Sequence, residues 1–181
     1  HSPYDPPQTY WDMYDDHPDI PAPFVGDWAG EFDKKVADTN APRTRRSDSD
    51  TRRGRTGYYG NITFIDHQIG RVLDALERLG LVEDTPVVFT ADHGDLTGAH
   101  GMLQKGGEGY DELYRIPLLV RWPGVVEAGV KCGELVELVD LMPTVVEAAG
   151  VEVPEGLNGR SLAPRFYPIE FVGGRSRLGW V

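Results

Sequence analysis

Residues 86–94 read Pro86-Val87-Val88-Phe89-Thr90-Ala91-Asp92-His93-Gly94. The first six form a short apolar, β-branched run, too brief for a helix and continuous enough for a strand buried on both faces. The pattern predicts a central parallel strand. In open parallel sheets ligands bind beyond the carboxyl ends of the strands, and Asp92-His93-Gly94 stands at that end. A carboxylate and an imidazole side by side can both turn toward one divalent cation, and Gly94 leaves room for backbone to approach. Residue types alone keep a second reading open, in which Asp92 caps the next turn and His93 hydrogen-bonds locally.

Upstream of this strand, Ile62, Ile65, Ile69, Val72, Leu73, Leu76 and Leu79 recur at threes and fours, which predicts a helix over 58–79 stopped by Gly80. Downstream, Ile116-Pro117-Leu118-Leu119-Val120-Arg121-Trp122 repeats the strand signal, with Pro117 tolerated at its start. Asp140 is placed to cap a helix over 140–150 with Pro143 in its first turn and Leu141, Val145, Val146 and Ala149 facing inward. The alternation of helix, strand, loop, strand and helix argues for an α/β layer with a mostly parallel sheet flanked by helices. Residues 1–28 hold six prolines among Tyr4, Tyr10, Trp11, Tyr14, Phe24 and Trp28, an extended aromatic loop without long regular elements. A chain starting in such a segment reads as part of something larger. The expectation is one partial domain over 1–181, with 58–164 as its α/β core and 165–181 unassigned.

The 181 residues carry 18 Lys and Arg against 29 Asp and Glu, a net charge of -11, and 40% are hydrophobic. That composition suits a globular chain, and no apolar run approaches the roughly 18 residues a membrane span needs. The basic deficit argues against a nucleic-acid partner. One segment, 41–57, runs the other way: Arg43, Arg45, Arg46, Arg52, Arg53 and Arg55 face only Asp48 and Asp50, leaving 12 basic and 27 acidic residues elsewhere. It reads as a solvated loop, with a patch for an anionic ligand as the functional alternative. The single Cys132 allows no internal disulfide, and in Val130-Lys131-Cys132-Gly133-Glu134 it reads as a small structural residue. Ser161 and Ser176 lack an elbow motif, and Asn61-Ile62-Thr63 falls on a predicted helix, where a glycosylation match is accidental.

Thr90-Ala91-Asp92-His93-Gly94, then Gly98-Ala99-His100-Gly101, Lys105, Tyr110-Asp111-Glu112 and Arg115-Ile116-Pro117-Leu118 resemble the second signature block of the sulfatase family. His1-Ser2-Pro3-Tyr4 resembles the family's His-x-Pro-aromatic segment, and Val139-Asp140-Leu141-Met142-Pro143-Thr144 and Leu157-Asn158-Gly159-Arg160-Ser161-Leu162 resemble its trailing sequence. The resemblance covers about residues 1–12 and 57–164. It implies an alkaline-phosphatase-type α/β sandwich and hydrolysis of a small-molecule or saccharide sulfate ester at a divalent metal, usually calcium. It implies Asp92 and His93 as two metal ligands, Lys105 at the sulfate group, and His1 also reaching the sulfate and protonating or orienting the leaving oxygen. A histidine ligand keeps manganese and magnesium open on donor chemistry. His100 is placed either to touch this site or to brace its loop.

The family's nucleophile is a formylglycine made from a Cys/Ser-x-Pro-x-Arg signature, and no such signature occurs in these residues. The family's early paired aspartates are missing too, so the expectation is an inactive chain whose nucleophile, like any export signal, precedes residue 1. Nothing in Asp92, His93 or Lys105 separates sulfur from phosphorus, so a phosphonate or phosphate ester hydrolase is the near alternative and a noncatalytic binding remnant the distant one. Oligomeric state and compartment are not legible.

Overall fold

The computed structural model of the chain describes residues 3–22, 35, 47–106 and 109–166, and the backbone of 171–172 and 175–176. The dominant element begins at Ser47, whose Oγ accepts the Asp50 backbone N–H at 3.0 Å while Asp48 and Asp50 sit in the first turn, against the positive end of the helix dipole. From there the chain is helical for 31 residues, Asp48–Arg78, after α1, a single turn at Gln8–Trp11. This second helix, α2, corrects the loop expected over 41–57: residues 48–57 are helical. The capping serine and the acidic first turn outweigh the polar, glycine-containing composition that suggested a loop. Gly80, at φ 68°, ends the helix with a left-handed residue after Leu79.

Two compact units form, one of His1–Leu79 with Thr90–Pro117 and the other of Gly80–Phe89 with Leu118–Val181. In the first, the proline-rich segment lies across α2 at a stripe of small residues, Thr51, Thr56, Gly57 and Gly60, all buried. Glycine is required by close approach at Gly57, where a Cβ would strike the Tyr4 carbonyl oxygen. The aromatic side chains then fasten the segment: Tyr14 Oη lies 2.7 Å from Thr63 Oγ1, Tyr10 Oη 3.1 Å from His67 Nδ1, and Arg53 sits 5.2 Å over the Trp11 ring. The same unit contains the loop that follows the first strand and α3, Asp111–Tyr114.

In the second unit β1, Val87–Thr90, whose last residue belongs to the first unit, pairs with β2, Leu118–Arg121. Val88 and Phe89 are exposed, so the expectation of a strand buried on both faces does not hold in this chain. A 3-10 turn at Leu138–Asp140 leads into α4, Leu141–Ala148. Its inward face also differs from expectation: Pro143 and Thr144 are buried, whereas Val145 and Ala149 are exposed. The reason is polar. Thr144 Oγ1 donates to the Asp140 carbonyl at 2.5 Å and accepts the Leu162 N–H at 2.8 Å, drawing buried Leu162 and Ala163 onto that side. Asp140 does not cap its own helix; its carboxylate accepts the backbone N–H of Arg160 at 2.9 Å and of Glu137 at 3.0 Å. Those bonds, Arg160's first, hold its carboxyl below the usual carboxylate range. Arg165 grips Glu134 through Nε and Nη2, each at 2.9 Å, from α5, Ala163–Phe166. The tail left unassigned contains an antiparallel pair, β3 at Phe171–Val172 and β4 at Arg175–Ser176. Cys132, read from the sequence as a small structural residue, is exposed. No helix among the described residues is long and apolar enough to cross a membrane.

Candidate functional site

Beyond β1 the chain is fixed at Gly94, whose N–H donates to the Leu113 carbonyl at 2.8 Å and where a Cβ would strike the Glu112 carbonyl oxygen. Any side chain there would push α3 away, so glycine sets the position of the two residues before it. Asp92 is 81% exposed and takes the His93 backbone N–H on Oδ1 at 2.9 Å. His93 directs Nδ1 to the Gly94 carbonyl at 2.7 Å. A carbonyl only accepts, so Nδ1 carries the hydrogen and Nε2 of the neutral ring is the lone-pair nitrogen, the arrangement found when a histidine ligates a metal through Nε2. Nε2 faces Asp92 Oδ2 at 3.4 Å. Two electron-pair donors facing one another at this distance are stabilised by positive charge between them, such as a bound cation. The donor set fits a divalent ion, since two adjacent ligands at about 2.1–2.5 Å from one centre stand about this far apart. No third His, Cys, Asp or Glu joins them among the described residues.

The loop that follows carries its own core. Leu96, Met102 and Leu113 are buried together with Tyr110 packed against them, each burial contributing roughly 1.5–3 kcal/mol. The backbone closes on itself through Gly98 N–H to Met102 O at 2.7 Å, Met102 N–H to Ala99 O at 3.0 Å and Leu96 N–H to Gln104 O at 3.1 Å. These closures demand left-handed backbone at Thr97, Gly98, His100, Gly101 and Gln104, with φ of 43°, 100°, 54°, 71° and 66°. Three of the five are not glycine, and such residues persist where surrounding contacts over-determine them.

Those contacts come from elsewhere in the unit. Tyr4 Oη donates to Asp95 Oδ2, and Asp95 Oδ1 accepts the Thr97 N–H at 2.9 Å. Burial, and then the Asp95 hydrogen bond and charge, push the Tyr4 phenol well above its ordinary range; burial followed by the Asp95 charge raises Tyr58, which meets the Tyr4 ring edge-on at 5.6 Å. Tyr4 therefore stays a neutral donor. His100 is stacked on Tyr110 at 3.9 Å between ring centroids, with Nε2 3.4 Å from Glu112 Oε2 and its side chain 6% exposed. Of the two roles open for it, this geometry is that of a brace. The loop delivers Lys105, exposed, directly after Gln104. The structure thus puts Asp92 and His93 side by side and Lys105 at the end of a locked loop on the same unit, while His1 lies outside the described residues. Sequence reasoning passed over Asp95, Glu112 and Arg55. Asp95-Leu96-Thr97 has the pattern of an Asx turn, which marks Asp95 as a backbone acceptor. Arg55 carried no signal that set it apart from its neighbouring arginines.

The sulfatase family model matches residues 2–151. The chain belongs to the sulfatase family. An arylsulfatase of Clostridium perfringens is 40% identical over 167 residues, covering 90% of this chain and 34% of the relative. Among solved structures, one in complex with its substrate D-glucosamine-2-N,6-O-disulfate superposes with a TM-score of 0.63 at 29% identity, covering 77% of this chain and 30% of that one. A phosphonate monoester hydrolase from Silicibacter pomeroyi gives 0.66 at 30% identity, with 85% and 33% covered. The chain spans about a third of the length of each of these proteins. Its fold is the α/β fold of the sulfatases, present in part.

Proposed function

We propose that this chain carries part of the site of a metal-dependent sulfatase that hydrolyses sulfate esters, including those of saccharides. The observation that carries the reading is the lone-pair face of His93 turned to Asp92 at the head of the loop that ends in Lys105. The relative solved with a disulfated glucosamine supports a saccharide ester. On this reading β1 and β2 belong to a mostly parallel sheet within an alkaline-phosphatase-type sandwich.

Asp92 and His93 would hold the divalent cation, calcium by family habit, with manganese or magnesium also compatible with a nitrogen donor. When bound, the ion supplies charge neutralisation at the sulfuryl oxygens. Lys105 adds an ammonium, a compact charge that needs no fixed approach angle, to stabilise an equatorial oxygen as negative charge develops. His1 would protonate or orient the departing ester oxygen, a task suited to an imidazole, whose ordinary titration lies near neutrality. A formylglycine, whose Cys/Ser-x-Pro-x-Arg signature these 181 residues do not contain, would supply the attack on sulfur, so the isolated chain is expected to bind and orient without turnover.

The test uses the natural full-length protein with a divalent cation and three probes: an aryl sulfate, glucosamine-6-sulfate and an aryl phosphonate monoester. Sulfate release is expected to dominate, and Lys105→Ala is expected to lower kcat/KM on the order of 10²–10³-fold. Faster turnover of the phosphonate would shift the reading to phosphoryl chemistry, and no turnover with no cation bound would favour a binding remnant.

A further inference from the structure

We propose that Arg55 is a positioning residue of this site, a clamp that holds the loop between the metal-ligand pair and Lys105 in its working shape. The three described arginines near the start of α2 have different duties. Arg52 Nη2 donates to the His17 carbonyl at 3.0 Å and Arg53 lies over Trp11, so both fasten residues of the proline-rich segment. Arg55 reaches the loop instead, its Nη1 donating to the Thr97 carbonyl at 2.9 Å. Its Nε is enclosed and has no hydrogen-bond partner among the described residues. Enclosing a guanidinium with one N–H unsatisfied is costly, and a role confined to packing would be met better by an apolar side chain.

Thr97 explains what the cost secures. It is a β-branched residue at φ 43°, in a region such residues avoid. Both of its backbone polar groups are held, the N–H by Asp95 Oδ1 and the carbonyl by Arg55. The Arg55 bond is charge-assisted, and so among the stronger kinds. Thr97 is the first of the left-handed residues, so its backbone direction sets the path of Gly98 to Gln104 and hence where Lys105 emerges. Displacing a catalytic group by about 1 Å can cost on the order of 10²-fold in rate. The inference rests on Lys105 acting at the sulfate group.

The experiment compares wild type, Arg55→Ala, Arg55→Lys, Thr97→Gly, the Arg55→Ala/Thr97→Gly double variant and an Arg53→Ala control in the natural full-length protein. It reads aryl-sulfate kcat and KM together with amide hydrogen exchange at Gly98 and Met102. Arg55→Ala is expected to lower kcat by roughly 10–10²-fold and to speed exchange at both amides, with Arg55→Lys intermediate. Thr97→Gly should recover at least about fivefold of that loss, because glycine adopts positive φ without a clamp. Arg53→Ala should leave kcat within about twofold. If Arg55→Ala does not fold, Arg55→Lys and its combination with Thr97→Gly give the same readings. Unchanged kcat and exchange, or a loss that glycine at 97 does not relieve, would overturn the proposal. If wild type turns over no sulfate ester, the functional reading fails separately, and exchange alone judges the clamp: faster in Arg55→Ala and restored in the double variant, or not.

Discussion

The loop over 95–104 and the second half of α2 are both rich in apolar residues, and they use them in opposite ways. In the loop Met102 is 0% exposed and Leu96 1%, inside a structure with no regular element longer than three residues. On α2, the most periodic apolar pattern in the chain, Ile65 and Val72 are 51% and 61% exposed, and Leu79 at its C-cap is 70% exposed. The comparison shows that periodicity reports what a face is suited to bury, whereas order in this loop comes from named bonds and a core of three side chains. A site that must hold a lysine in place is better built on the second kind of order.

Truncating the loop core should break the comparison most visibly. Met102→Ala is expected to cost about 2–5 kcal/mol in a denaturant titration, because Met102 is fully buried against Leu96 and Leu113 and its truncation leaves a cavity there. A cost under about 1 kcal/mol would mean that the loop is not self-supporting. Polar staples provide an intermediate case. Asp140→Asn is expected to cost about 1–3 kcal/mol near neutrality, since a buried carboxylate that accepts two backbone N–H groups is replaced. Asp140 has its pKa lowered in the fold, so its contribution is present above the unfolded value of 3.8 and lost as pH falls through the folded value. The gap between wild type and Asp140→Asn should therefore close as pH drops below about 4, and a gap constant from pH 7 to pH 3 would refute the assignment. At the small end, Val72→Ala on the uncovered stripe should change stability by less than about 0.5 kcal/mol, and a cost like that of Met102→Ala would show the stripe to be buried in solution.

What the residues made legible at the site is local geometry: Asp92 and His93 stand side by side just beyond β1, and Gly94 follows them because the Glu112 backbone approaches it too closely for a side chain. The helix start was not readable in the same way: a serine cap and two aspartates prevailed over a composition that resembles a loop. Helix α4 turned its less apolar side inward because one hydroxyl, on Thr144, satisfied two backbone groups at once, and periodic patterns contain no record of such bonds. Arg55 was hidden among arginines of identical chemistry, and only its reach to Thr97 separates it from them.

The proposed function has Asp92 and His93 hold the cation at which a sulfate ester is cleaved. The most direct measurement is aryl-sulfate turnover by the natural full-length protein and its Asp92→Ala variant, each titrated with calcium, manganese and magnesium. Asp92→Ala is expected to lose at least about 10²-fold in kcat/KM, with a rise in its half-saturating cation concentration. Turnover within twofold of wild type, with the cation dependence unchanged, would contradict it.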